Sequence, residues 1–322
     1  MFAYSVRRLL VSIPLLIVAT FLVFWSVRTT FDPTAKLATS RDSARVRAEM
    51  RERLGLDDPI VVQYGRWLGD AVTGDLGTST RTRQEVSSMV WPALGNTVQL
   101  IVWGFGVSLV VAVGIGVFSA VRQYSIPDYV FTALSYVGLA MPPFWFALVA
   151  SQLLGPGLKD ALGLDDPVFY VVGLHSDDGG LDLDYLQHLF LPVLTLTVQI
   201  VASWSRYQRS TMLEVLSTDY IRTARAKGLR ERVVVGRHAL RNALVPVVSV
   251  VAIDAGLLFG GLIITETIFS IPGMGRLFVE ALTAGDAETV LAWTLVSAVF
   301  VIVFNLLADL AYGLLDPRVR LS

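Results

Sequence analysis

Apolar residues fall into six long blocks along the chain, at 9–27, 98–121, 130–154, 186–206, 246–268 and 290–315. A helix needs ~20 largely apolar residues to cross the hydrocarbon of a bilayer, so each block predicts a transmembrane helix. The first, after Arg7 and Arg8, shares its start with a secretory signal. It is longer than the ~7–15 apolar residues of such a signal and no small-residue cleavage site follows, so it reads as a span. The third is interrupted by Pro142-Pro143, which removes two backbone donors and predicts a kink that neighbouring groups must satisfy. The second carries Gly104, Gly106, Gly114 and Gly116, small residues that let helices approach closely in lipid.

The polar stretches differ from one another. Residues 28–96 predict a small helical segment outside the bilayer. Asp42 or Ser43 caps a first short helix ending at Gly55. Asp58-Pro59 starts a second, with Ile60, Tyr64, Trp67, Leu68 and Val72 at helical spacing. Thr82-Arg83-Gln84-Glu85 fits a capping box opening a third. Residues 155–188 read as a solvated acidic loop, in which His175 beside Asp177 and Asp178 is no metal site. Residues 269–289 read as a loop. The organisation is a first span (1–27), the external segment (28–96) and a core membrane domain (97–322), with a cytoplasmic bracket at 207–246.

Composition agrees with a membrane protein: 54% of residues are hydrophobic and 16% charged. Charge is segregated. Arg7/Arg8, Arg122, the arginines of 206–241 and Arg318/Arg320 fall on one side of a six-span arrangement, and short Lys/Arg-rich loops stay in the cytoplasm. Both termini are therefore expected inside the cell, with 28–96 and the acidic loop outside. Between residues 32 and 85 nine basic residues balance nine acidic ones, so no nucleic-acid surface is predicted. The chain has no cysteine and three histidines. No H-E-x-x-H, G-x-S-x-G or phosphate-loop motif occurs, so no catalytic or metal-binding residue is assigned. Uphill transport by this chain would need another chain to bind ATP.

Polar residues at membrane depth are expensive and face a cavity or each other. Gln99, Gln199, Asp254 and Glu266 are the pathway or gate candidates. For Asp254 the alternative is a hydrogen bond to a neighbouring helix. The remaining candidate is the bracket. Asp219, Tyr220, Ile221, Arg222, Thr223, Ala224, Arg225, Ala226 and Lys227 form about two helical turns, too short to stand alone. Gly228 ends them in a left-handed turn, and a second helix from about Glu231 leads to the fifth span. Its support is either a protein groove or anionic lipid.

D-Y-I-R-T-A-R-A-K-G-L (219–229) followed by R-H-A-L-R-N-A-L-V-P (237–246) resembles the EAA loop of ABC-importer permeases, in its oligopeptide/dipeptide form. R-L-G-L-D-D-P (53–59), G-D-L-G (74–77), T-E-T-I-F-S-I-P-G-M-G-R (265–276) and L-D-P-R-V-R (315–320) are similar to other stretches of the first permease subunit of that family. The general motif's Glu-Ala-Ala is Arg222-Thr223-Ala224 here, and Arg241 stands where the motif has proline. Both fit the peptide-type subfamily.

The resemblance implies an all-α, six-span type I importer permease in the cell membrane, importing oligopeptides or dipeptides. It implies as partners a second homologous permease, one or two ABC ATPase subunits, an extracytoplasmic peptide-binding protein and the bilayer. It implies no cofactor on this chain, with ATP and Mg in the ATPases, and assigns 219–228 as the ATPase-coupling helix with Gly228 as hinge. A permease of the same family for a nickel chelate, glutathione or another small solute is the alternative. A self-sufficient secondary carrier or channel is the reading from a different class.

Overall fold

A computed structural model describes residues 2–31, 51, 55–176 and 180–315. The first helix expected in the external segment, Asp177, Asp178 and the Arg318/Arg320 tail lie outside the described residues. The helices, in chain order, are α1 (Phe2–Thr30), α2 (Ile60–Val72), α3 (Val86–Val121), α4 (Ile126–Ala140), α5 (Pro143–Gln152), α6 (Leu158–Leu162), α7 (Leu183–Leu216), α8 (Asp219–Ala226), α9 (Glu231–Val233), α10 (Leu240–Ile268), α11 (Met274–Ala284) and α12 (Ala287–Leu315). Among the described residues no strand forms, and one isolated bridge pairs Thr78 with Glu85. Among the described residues five helices are long and apolar enough to cross a membrane, and the bent pair made by Ile126–Ala140 and Pro143–Leu162 makes six if it counts as one broken span.

Four expectations change. The stretch 155–188 is not all loop, since it holds α6. The capping box at Thr82 opens no separate short helix: α3 runs without a break for 36 residues, because nothing between Val86 and Val121 stops it. Pro92 lies inside it, one turn past the start, where it withholds one intrahelical donor without ending the helix. The fourth span is likewise longer than its apolar block. The Asp182 carboxylate accepts the Tyr185 amide at 2.9 Å to cap α7, which then continues to Leu216. The stretch 269–289 is not all loop, since it holds α11, closed by Gly285 in the left-handed conformation. The Pro142-Pro143 kink is present, at 107° between α4 and the helix that follows.

The chain divides into two compact units. One comprises residues 2–96 and 273–303, the other 97–272 with the C-terminal end of α12. In the first, Phe24 and Val27 of α1, Tyr64 and Trp67 of α2, and Ala287, Val290 and Leu291 of α12 form one buried cluster. The Tyr64 hydroxyl bonds the Thr20 hydroxyl at 2.8 Å. Asp286 is buried and accepts from the Ser79 hydroxyl, from the Thr80 amide at 3.1 Å and from the Thr289 hydroxyl at 2.8 Å. It thus ties the 74–85 loop to the start of α12.

Burial pushes the Asp286 carboxyl up, but these hydrogen bonds outweigh it and hold the group below the usual carboxylate range. A lowered folded-state pKa stabilises fully above the unfolded value, and that stability is lost as pH falls through the folded one. The protection factors of amides in the 74–85 loop, corrected for the intrinsic exchange rate, should therefore fall as pH drops below about 4. Asp286→Ala should exchange fast at neutral pH already. A wild-type loop with the same protection at both pH values would refute this.

In the second unit, α3, α4 and α10 pack on α7. The glycines of α3 divide by position. A Cβ at Gly104 would lie 2.9 Å from the Leu196 side chain, and one at Gly116 only 2.6 Å from Gln208. These two therefore allow the close approach of α7, whereas Gly106 and Gly114 face open space.

Candidate functional site

The bracket is built as a helix, a glycine turn and a second helix. Thr218 is extended at the N-cap of α8 but its hydroxyl donates back to Val215 O at 2.6 Å instead of capping. At the other end Gly228 takes φ +74°. The Gly228 amide reaches Arg225 O at 2.9 Å and the Leu229 amide reaches Ala224 O at 3.4 Å. That pairing is a Schellman stop, and it needs the left-handed residue. Arg225 then clasps Glu231 across the turn with two hydrogen bonds, at 2.7 and 3.2 Å. Both side chains are about half exposed, so the pair fixes geometry more than it adds stability.

The two faces of α8 behave differently. Ile221 is fully buried and Ala224 nearly so, packed with Ala120, Met212, Val234, Ala239 and Ala243. The apolar side of this short helix is therefore covered by the chain itself, by the ends of α3, α7 and α10. Tyr220 is half exposed, and its hydroxyl accepts from Asn242 Nδ2 at 2.9 Å. Asp219, Arg222, Thr223, Arg225, Ala226, Lys227 and Gly228 point outward and are exposed. The result is a cationic knob whose inner side is packed on the ends of three spans. Burying an isoleucine side chain is worth about 1.5–3 kcal/mol, a large part of the cost of nucleating eight residues that would not be helical alone.

The four polar candidates at membrane depth each find a partner, on different elements. Gln99 Oε1 accepts from the Tyr185 hydroxyl at 3.0 Å. Glu266 is fully buried and accepts from the Thr97 hydroxyl at 2.6 Å. Asp254 accepts the indole N–H of buried Trp204 at 2.7 Å, so the hydrogen bond to a neighbouring helix is the arrangement found. Gln199 donates to Met141 O at 3.2 Å. That carbonyl sits at the Pro142-Pro143 break, where the helical donor ladder is interrupted, and Gln199 supplies the donor a kinked span needs.

Sequence reasoning missed a buried ion pair. Arg209 of α7 makes a bidentate contact to Asp128 of α4, both bonds 2.8 Å, and Asp128 also accepts the Tyr124 amide at 2.9 Å. The Asp128 side chain is only 3% exposed. The two residues lie 81 positions apart, and no local pattern joins them. His175 lies near the carboxylates of Asp182 and Asp184. Both have other work: Asp182 caps α7, and Asp184 accepts from the Ser176 amide and hydroxyl at 2.8 and 2.7 Å.

Residues 112–321 match the family described as binding-protein-dependent transport system inner membrane component, and residues 1–102 match its N-terminal counterpart. The chain is 40% identical to the dipeptide transport system permease protein of Alkalihalophilus pseudofirmus, over 99% of this chain and 100% of that one. It is 39% identical to an oligopeptide transport system permease protein of Bacillus subtilis, with the same coverage. It is 36% identical to the Escherichia coli dipeptide transport system permease protein, over 99% of each. In three dimensions it is similar to the MetNI methionine ABC transporter in an inward-facing conformation. The TM-score is 0.50 at 19% identity, covering 72% of this chain and 96% of that chain. That likeness carries the fold alone.

Proposed function

The chain belongs to the family of binding-protein-dependent transport inner membrane components and is a multi-pass ABC importer permease subunit, and on that premise we propose that it imports di- or oligopeptides. It forms half of the translocation path, a second homologous permease forms the other half, and α8 is where ATPase subunits grip it. The ATPases bind and hydrolyse the nucleotide with its Mg; this chain holds neither. An extracytoplasmic binding protein delivers the solute. The bracket and both termini lie in the cytoplasm.

One observation carries the coupling role. The inner face of α8 is spent on its own chain, while Arg222, Arg225 and Lys227 stand exposed on its outer face, Arg225 held by Glu231 and Arg222 beside Asp219. A knob fixed to the feet of α7 and α10 moves those spans when it is pushed. The peptide substrate is supported by full-length likeness to relatives named for peptides. The test is reconstitution with the second permease, the ATPases and the cognate binding protein. Peptide uptake should require ATP and all partners. Uptake by this chain alone in liposomes would make it a self-sufficient carrier. A binding protein that retains a metal chelate and no peptide would overturn the substrate.

A further inference from the structure

Where α3 ends, a cleft of about 480 Å³ opens against the segment that starts at Glu231. Val113, Val117 and Val121 line one wall, and Val235 and Leu240 the other. Gly114 lies between them with no atom within 4 Å of where a Cβ would stand, so the floor stays open. Arg122, Glu231 and Arg232 form the rim.

The rim charges are not equivalent. Glu231 is neutralised by Arg225 at 2.7 Å. Arg122 lies over the Phe118 ring at 5.3 Å, and among the described residues no carboxylate pairs with it or with Arg232. Two exposed cations therefore stand at the mouth of an apolar cleft. The cleft follows α3 from Val113 to Arg122. At ~1.5 Å of rise per residue, nine steps cover about 14 Å. That is close to half of the ~30 Å hydrocarbon thickness, the depth of one leaflet.

We propose that this cleft holds one anionic glycerophospholipid, its phosphate at Arg122 and Arg232 and an acyl chain along the valine-lined groove. A free phosphate would satisfy the rim and leave the apolar walls wet. A zwitterionic lipid would fill the walls and bring no net charge to the rim. The site adjoins the bracket, since Val235 of its wall follows Val234, which packs on Ile221. Lipid seated here braces the second arm of the bracket from the membrane side. The inference needs only that the chain spans a bilayer, and it stands apart from the peptide reading.

The test uses the full-length chain purified from nanodiscs containing equal phosphatidylglycerol and phosphatidylcholine, with native mass spectrometry counting retained lipid. Wild type should keep one phosphatidylglycerol in preference to phosphatidylcholine. Arg122→Gln with Arg232→Gln should lower that retention about tenfold, a loss expected of two phosphate contacts at roughly 0.7 kcal/mol each. Gly114→Leu, which fills the floor with the charges intact, should lower it too. Millimolar inorganic phosphate should not displace the lipid. Equal retention of the two lipids by wild type, or unchanged retention in the double arginine variant, overturns the proposal. So does displacement by phosphate, which would mark an anion site, or a second copy of the chain cross-linking through Gly114→Cys. If Gly114→Leu fails to fold, the arginine variant, which alters only exposed side chains, decides alone.

Discussion

Arg225→Glu combined with Gly228→Pro should cut ATP-driven solute uptake by at least ~100-fold while leaving membrane insertion intact. Proline fixes φ near −65°, and Gly228 sits at φ +74°. The left-handed stop cannot form, and the two hydrogen bonds that close α8, from the Gly228 and Leu229 amides, are lost. Glutamate at 225 then faces Glu231 where an arginine had held it. A proline in an incompatible place costs ~3 kcal/mol, and every 1.4 kcal/mol is tenfold in a population. Insertion should survive because the apolar spans are untouched. Gly228→Ala is the graded control: a left-handed alanine costs ~1–2 kcal/mol, so uptake should fall roughly tenfold or somewhat more. Uptake at the wild-type rate by a correctly inserted double variant would remove α8 from the coupling path.

Arg209→Met should destabilise the second unit by about 3 kcal/mol. It leaves the Asp128 carboxylate, nearly closed off from solvent, without its cation. Stranding one member of a buried pair costs about 3–5 kcal/mol, and the partial exposure of Arg209 places this case near the lower end. The double variant Asp128→Leu with Arg209→Met should recover most of the loss, because replacing a buried pair by apolar groups removes both desolvation costs. Thermal unfolding of the detergent-purified chain reads the difference. If the single variant melts with wild type, the contact contributes no stability. If the double variant is as weak as the single, the pair has a role beyond mutual neutralisation.

Much of this architecture is legible in the sequence because it is local. The apolar blocks find the spans, Pro142-Pro143 finds the kink, and Gly228 finds the end of α8 with its left-handed turn. What escapes is long-range. Tyr220, Ile221 and Ala224 read as a face needing cover, but nothing local says that Met212, Val234 and Ala243 supply it. Asp254 reads as either a gate or a helix tie. The hydrogen bond that it accepts from Trp204, fifty residues upstream, leaves no trace in the local pattern. The Asp128–Arg209 pair is invisible for the same reason. The helix at Met274–Ala284 escapes for another: its eleven residues are too few to span a bilayer and follow Pro272-Gly273, which reads as loop chemistry.

The π turn at Val234–Ala239 sits between the two arms of the bracket and the fifth span. Such a turn accommodates about one residue more than an α-helical turn, and one residue is ~100° of helical rotation, from 3.6 residues per turn. The segment therefore acts as a phase setter. Val234 addresses Ile221 on one side of it, and Asp254 addresses Trp204 on the other. The two could not both keep their partners if the insert were removed. The spacing from Gly228 to Asp254 is thus an angular specification written as a residue count, one that tolerates substitutions more readily than a single deletion.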